Sequence, residues 1–373
     1  MFITAYMSNF GCDFKGCTQN CLFMELLSIL LLSLLGLLQM NDTTELAFVG
    51  DAMQHGPQLR AAATDDGSYE YAECFSLIES SVKAADFAVA NLECPLGGKP
   101  YMGYPLFSAP DEFPSALSNA GFDLLLLANN HILDKGGNGV MRTLSILDAE
   151  GITHIGAYRN AADRVERMPL IKNINGLEIA FLSYSYGTNT YDAASPVIID
   201  RIKRDVIAAD VRKAKEKGAE VVCVCMHWGN EYEQLPNNNQ SAFAEYLKSI
   251  GVDIVVGCHP HVVQPINVDF AASKGRGFAV VYSLGNFISN QNDINCRGGA
   301  LVKVKMSRYD DIPVILGLSD ELFFCQKPFN RKGNYKLIPR NMADSVRDDS
   351  KKAFERFMMN TETLLNKYNK NID

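Results

Sequence analysis

Several common kinds of chemistry are missing from this chain. It has no Gly-x-Ser-x-Gly elbow for a serine hydrolase, no glycine-rich loop leading into Lys-Ser/Thr to cradle phosphates, and no Cys-x-x-Cys pair. A basic stripe is also lacking. Lys and Arg number 35 against 43 Asp and Glu, a formal charge of -8, which argues against nucleic acid as a partner. The ten cysteines show none of the paired spacing of a disulfide scaffold. Cys12, Cys17 and Cys21 precede an apolar run that a lipoprotein cysteine would follow. Cys223 and Cys225 share one face of a strand, the usual place for small hydrophobes.

What is present is histidine in an unusual distribution. Five of the six, His55, His131, His227, His259 and His261, lie within a few residues of the C-terminal end of an apolar, strand-like run. His154, inside Ile152-Thr153-His154-Ile155, is the exception. Open α/β sheets gather their chemistry outside the carboxyl ends of the strands, where residues distant in sequence converge. Oxygen donors stand at the same edge: Asp51 follows Leu46 to Gly50, Asn91 follows Phe87 to Ala90, Asn129-Asn130 follow Leu124 to Ala128, and Asn286 follows Phe278 to Gly285. Hard oxygen donors mixed with imidazoles suit Mn, Fe, Zn or Mg better than a thiolate-loving metal.

Within Gly257-Cys258-His259-Pro260-His261, a residue before proline is expected to be extended, so that His259 and His261 point to one side. His227 ends a very hydrophobic run that would fix a nitrogen ligand rigidly. In Asn129-Asn130-His131 an amide oxygen can bind a metal while the neighbouring imidazole donates a proton to a leaving oxygen. Asp51 is a natural carboxylate ligand, and Glu93 is placed to bridge ions. Plain alternatives stand beside these: a helix N-cap for Asp51, an asparagine turn for Asn129-Asn130, an exposed loop carboxylate for Glu93. His55, Asn91, Asn129, Glu231, Asn286 and Arg297 are expected to support ligands or orient substrate.

Beyond Asn41 strands alternate with helices, the pattern of an α/β fold. Helices are predicted over Tyr71–Ala85, Asp111–Ala120, Gly137–Glu150, Ile199–Lys217 and Ser241–Ile250. Strands over Leu177–Tyr184, Phe278–Tyr282, Ala300–Met306, Pro313–Leu318 and Leu322–Phe324, several without intervening helices, suggest a second sheet. Asp344 is the expected cap of a last helix with Phe354, Phe357, Met358, Leu364 and Leu365 on its apolar stripe. The division expected is an N-terminal segment 1–43, a main domain 44–306, and strands and a docking helix over 307–373. Leu22 to Leu38 is nearly all apolar and reads as a signal anchor, with no small-x-small cleavage site after it. The alternatives are a secreted protein, a start at Met24, and a cytosolic protein whose first helix is buried.

Val49-Gly50-Asp51-Ala52-Met53, Asn91-Leu92-Glu93-Cys94-Pro95, Leu127-Ala128-Asn129-Asn130-His131, Leu133-Asp134-Lys135-Gly136, Met226-His227-Trp228-Gly229-Asn230-Glu231-Tyr232, Gly257 to Pro265 and Tyr282 to Phe287 stand in one order. In that order they resemble the CapA-type family of poly-γ-glutamate capsule synthesis proteins, from about Leu46 to Val302. That family looks like a branch of the calcineurin-like metallophosphoesterases. The resemblance implies a four-layer αββα sandwich holding two divalent ions on Asp51, Glu93, Asn130, His227, His259 and His261. It implies a metal-dependent hydrolase in which His131 protonates the leaving group, acting on a phosphoester, an amide or an anionic polymer. Other capsule-synthesis membrane proteins are then expected partners. The chain departs from the wider superfamily in setting His55 four residues from Asp51 and in using Asn91 and Glu93 in place of a Gly-Asp pair. A non-catalytic subunit that guides or anchors the polymer, and a cytosolic phosphoesterase, are the rival readings.

Overall fold

The runs rich in Val, Ile, Leu and Phe become strands, because β-branched and aromatic side chains fit a pleated surface buried on both faces. A computed structural model describes residues 43–190, 196–270, 276–329 and 333–371; the apolar run Leu22 to Leu38 lies outside them. Among the described residues no helix is long and apolar enough to cross a membrane. In chain order the strands are β1 (Thr44–Ala52), β2 (Phe87–Leu92), β3 (Leu124–Leu126), β4 (Thr153–Ile155), β5 (Ala157–Tyr158), β6 (Leu170–Ile174), β7 (Leu177–Ser185) and β8 (Ile198–Ile199). They continue as β9 (Val221–His227), β10 (Ile254–Cys258), β11 (Ile266–Asp269), β12 (Phe278–Val281), β13 (Asn286–Ile288), β14 (Gly298–Tyr309), β15 (Ile312–Gln326) and β16 (Lys336–Pro339). The longer helices are α1 (Gly56–Ala62), α2 (Glu112–Asn119), α3 (Gly136–Ala149), α4 (Ala161–Arg167), α5 (Arg204–Glu216), α6 (Asn238–Ser249) and α7 (Lys351–Tyr368).

One sheet has the order β16-β15-β14-β1-β2-β3-β4, with β13 also on β1, and the other β11-β12-β10-β9-β7-β6. β1 to β4 run parallel, as do β7, β9, β10 and β12, so the carboxyl ends of each set lie at one edge. Side-chain alternation defines the layers. Leu46 and Phe48 of β1 pack in one core with Phe181, Cys223, Cys225, Ile254 and Val256 of the other sheet. Ala47 and Val49 turn the other way, onto Phe113, Leu117, Val140 and Leu144 of α2 and α3. Likewise Val222, Val224 and Met226 of β9 face Ile207, Val211, Ala244 and Leu247 of α5 and α6. Helices, sheet, sheet, helices is the four-layer αββα sandwich that the family resemblance implied. Each fully buried Leu, Val or Phe in these layers contributes about 1.5–3 kcal/mol.

Three local expectations are corrected. Tyr71–Ala85 is not one helix but short helical segments at Ala72–Phe75 and Glu79–Lys83. The backbone there tightens to three-residue bonds, Cys74 N to Tyr71 O and Ile78 N to Phe75 O. The helix expected from Ile199 starts at Arg204, because Ile198 and Ile199 pair with β5 and Ile202 N donates to Ser185 O. The last helix starts after Ser350, not Asp344, which lies in a separate 3-10 segment, Arg340–Ser345. Its buried stripe is Phe354, Phe357, Met358, Thr361 and Leu365, with Leu364 only partly buried. β14 runs through position 306 and pairs with β15 from Gly298 to Tyr309.

Gly50 shows how tightly the site edge is built. A Cβ there would stand 1.9 Å from Gly285 O, the oxygen that accepts from Asp51 N at 3.1 Å. Gly50→Ala is therefore expected to destabilise the fold by roughly 3 kcal/mol, at the upper end for overpacking. Chemical denaturation of parent and variant measures this, and an unchanged midpoint would contradict it.

Candidate metal centre

Strand register brings the carboxylate to the amides before any long side chain is needed: Asp51 stands opposite Asn91 on β2 and opposite Asn286 on β13. On the facing sheet, His227 stands opposite Cys258, the residue before His259. Both sheets thus deliver donors to one edge. Asp51 is fully buried and accepts from Asn91 Nδ2 at 2.7 Å, from His259 N at 3.2 Å and from His261 Nδ1 at 3.0 Å.

His261 Nδ1 is also 3.0 Å from Asn286 Oδ1, and Asn286 Nδ2 donates to Gln291 Oε1 and Cys296 O, which fixes the amide's orientation. Facing two acceptors, Nδ1 is the donor of this ring. Its Nε2 looks toward Glu93, whose Oε1 lies 3.9 Å from His261 Nε2 and 3.7 Å from His227 Nε2. His227 Nε2 also stands 3.0 Å from Asn130 Oδ1. The His227 and His259 rings are 4.8 Å apart.

His259 and His261 do not reach this geometry through extended backbone. Their φ values are +99° and +59°, so the expectation drawn from Pro260 fails for His259. Left-handed backbone at a residue with a Cβ costs of order 1–3 kcal/mol, and such strain collects at functional sites. Here the bond from His259 N to Asp51 and the bond from Tyr232 N to Pro260 O (2.8 Å) hold the turn.

The electrostatics of the two carboxyls diverge. Burial works to raise Asp51, but the His261 hydrogen bond and the His261 and His227 rings hold it well below the usual carboxylate range. Glu93 is pushed well up by burial and by Asp51. His227 is pushed well down by burial and by His259, and His259 falls to about 3 through burial and His261. Two buried atoms, Glu93 Oε1 and His259 Nδ1, have no hydrogen-bond partner. Buried orphans are costly and uncommon. Three overlapping groups have donor atoms within 4.8 Å of one another: Glu93, His227 and His259; Asp51, Glu93 and His261; Glu231, His259 and His261. Neutral imidazoles, two buried carboxyls and orphaned lone pairs fit a divalent cation.

Beside the ligands, His131 Nδ1 is 2.8 Å from Asp134 Oδ2, which also accepts from Phe107 N at 2.8 Å. Asn189 Nδ2 lies 3.4 Å from His131 Nε2. Asn129 buttresses the turn through Leu92 O (2.8 Å) and Asn91 Oδ1 (3.3 Å). Exposed tyrosines frame the centre: Tyr186, 4.6 Å from the His259 ring, and Tyr232, 6.3 Å from His261.

Asp51, Asn91, Glu93, Asn129, Asn130, His131, His227, Glu231, His259, His261 and Asn286 are thus brought together. Arg297 is not. It lies over the Phe324 ring at 4.6 Å, with Cys325, Tyr335 and Asp349 as its charge neighbours. His55 sits at the head of α1, Nδ1 3.1 Å from Gln58 Oε1, and its ring stands edge-on to Phe107, which in turn meets His131. Sequence reasoning missed Asn189 and Tyr186, which lie in an unpatterned loop. It placed Glu231 in a supporting role, whereas its carboxylate is within ligand range of two histidines. Asp134 was visible as a carboxylate three residues after His131.

The family model described as "Bacterial capsule synthesis protein PGA_cap" matches residues 45–291, which span every ligand-type residue of the centre. The chain belongs to this family. The chain is 31% identical over 277 residues to "Capsule biosynthesis protein CapA" of Bacillus anthracis, covering 70% of this chain and 64% of that protein. It is 30% identical over 274 residues to "PGA biosynthesis protein CapA" of Bacillus subtilis (strain 168), covering 72% and 69%. The chain therefore spans a little under two thirds of the Bacillus anthracis protein. Among solved structures it is similar to the calcineurin-like phosphoesterase YfkN from Bacillus subtilis, with TM-score 0.46 and 12% identity over 86% of this chain and 97% of that one. The layered fold rests on the sheets themselves, not on that likeness.

Burial lowers His55 to about 4, so its ring stays neutral in the folded chain while an unfolded chain protonates it below about 6.5. That stability is present above 6.5 and is lost as the pH falls through 4. His55→Gln is expected to gain on the parent by roughly 2–3 kcal/mol between pH 7 and pH 4. Urea unfolding at several pH values measures the gap, and a gap independent of pH would contradict the buried, neutral ring.

Proposed function

We propose that this capsule-family chain is a divalent-metal-dependent hydrolase acting in the synthesis, export or attachment of an anionic cell-surface polymer. The observation that carries the proposal is the pair of orphaned, buried ligand atoms on Glu93 and His259, set among Asp51 and the ring nitrogens of His227 and His261. Asp51, Glu93, Asn130, His227, His259 and His261 would hold the metal, with Glu231 in reach; two ions of Mn, Fe, Zn or Mg suit the overlapping groups. Bound there, a divalent ion polarises the scissile group and makes water a nucleophile near neutral pH.

The chain's own residues supply the rest. Asp134 holds His131 Nδ1, which leaves Nε2, beside Asn189 Nδ2, as the nitrogen to carry and deliver a proton to the leaving oxygen or nitrogen. Phe107 N and the edge of the Phe107 ring hold that pair in place. Asn129 and Asn91 keep the ligand turn rigid, which orients the reacting group. An exported domain held by the Leu22 to Leu38 run, working beside other capsule-synthesis membrane proteins, is part of this reading.

A second reading is a non-catalytic subunit that tethers or guides the polymer. It is favoured by the position of His55, which caps a helix and takes no part in the ligand groups.

Elemental analysis of purified protein is expected to find stoichiometric divalent metal, at least tenfold less in His227→Ala and His259→Ala. A metal-free parent would end the catalytic reading. His131→Gln is expected to keep its metal and lose about 10²–10⁴-fold in turnover of aryl phosphates or γ-glutamyl amides, the pair of substrates that separates ester from amide chemistry. Full activity in His131→Gln would remove the proton-donor role.

A further inference from the structure

One cation near the centre has no carboxylate partner among the described residues. Arg201 follows Asp200, but Asp200 is engaged by Arg164, which also pairs with Asp210. The Arg201 guanidinium donates instead to a neutral group, Nη2 to Thr188 Oγ1 at 2.7 Å. Burial lowers its basicity, with Tyr186 as its charged-group neighbour.

Thr188 sits in the middle of a short loop whose two ends touch the two halves of the centre. At one end the Tyr186 ring lies 4.6 Å from His259 and nearly parallel to His227 at 6.2 Å. At the other, Asn189 N donates to Asn130 O at 2.7 Å, and its Nδ2 stands 3.4 Å from His131 Nε2. Through Thr188, Arg201 stands against the loop that joins the His227 and His259 half of the centre to the His131 half. A partly desolvated guanidinium without a counter-charge is costly to keep, and its planar fork matches the two oxygens of an oxyanion.

We propose that Arg201, with Tyr186 beside it, forms a subsite that reads a second oxyanion on the leaving-group part of the substrate, a carboxylate or a phosphate apart from the bond being cut. The ligand cluster binds the reacting group and Arg201 selects which substrates present it. For turnover this rests on the hydrolase reading; for binding it does not.

The test compares phenyl phosphate, 4-carboxyphenyl phosphate and 4-phosphonophenyl phosphate on the metal-loaded full chain. The parent is expected to favour at least one of the doubly charged esters by about tenfold in kcat/KM, and the favoured one identifies the oxyanion. In Arg201→Met the ratio is expected to fall to about one, and in Arg201→Lys to an intermediate value, since the charge remains without the fork. Thr188→Val removes the neutral hydrogen bond but not the charge, and is expected to keep the ratio. A parent ratio of one, a ratio preserved in Arg201→Met, or an equal loss in Thr188→Val would overturn the subsite, the last making Arg201 a brace for the loop. If Arg201→Met does not fold, Arg201→Lys carries the comparison, and an unchanged ratio there overturns the proposal. If no ester is hydrolysed, the ester form of the hydrolase reading fails by itself. Calorimetric titration with the same three compounds then decides: tighter binding of a doubly charged ester to parent than to the arginine variant supports the subsite, and equal binding removes it.

Discussion

Asp51 and Glu93 are both fully buried, and the fold holds them against three imidazoles with little water to share the charge. Removing two carboxyls from water costs several kcal/mol each unless something compensates. For Asp51 the compensation is internal: an amide, a backbone N–H and His261 all donate to it. For Glu93 it is incomplete, since burial and Asp51 push its proton affinity up and Oε1 meets no donor. A cation is the group that resolves this imbalance, and the remaining architecture can be read as the means of holding the imbalance in place.

That means is a pair of parallel-stranded sheets whose carboxyl edges meet. Gly50 permits the close approach of Gly285, and Gly257 does the same for Tyr282, whose carbonyl would lie 1.9 Å from a Cβ. The left-handed residues His259 and His261 follow directly. Strain of a few kcal/mol in this turn is carried by well over a hundred kcal/mol of gross burial in three apolar cores, so rigidity at the ligands is affordable. His131 and Asp134 lie just outside the ligand groups, where a proton can move without leaving the metal's donors unsatisfied.

Much of this was legible in the sequence because the strands are buried on both faces and end abruptly in polar residues. The four-layer order, the parallel edges and the convergence of Asp51, Glu93, Asn130, His227, His259 and His261 all follow from that pattern together with the family resemblance. What was not legible has tertiary causes. Ile199, expected to open a helix, is drawn with Ile198 into a ribbon with Ala157 and Tyr158. Pro260 predicts extended backbone for His259, yet the bond from its N–H to Asp51 selects positive φ. Asn189, Tyr186 and Arg201 have no local signature, because a loop residue's role depends on which strand ends it crosses. Arg297 resembled a substrate-binding charge and is placed over an aromatic ring instead.

The central claim is that these side chains grip shared cations, and anomalous X-ray scattering from crystals grown with Mn²⁺ addresses it directly. The account predicts anomalous peaks inside the Glu93, His227, His259 group and the Asp51, Glu93, His261 group. At saturating Mn²⁺, a map with no peak among these five side chains, or with its peaks elsewhere on the protein, would contradict it.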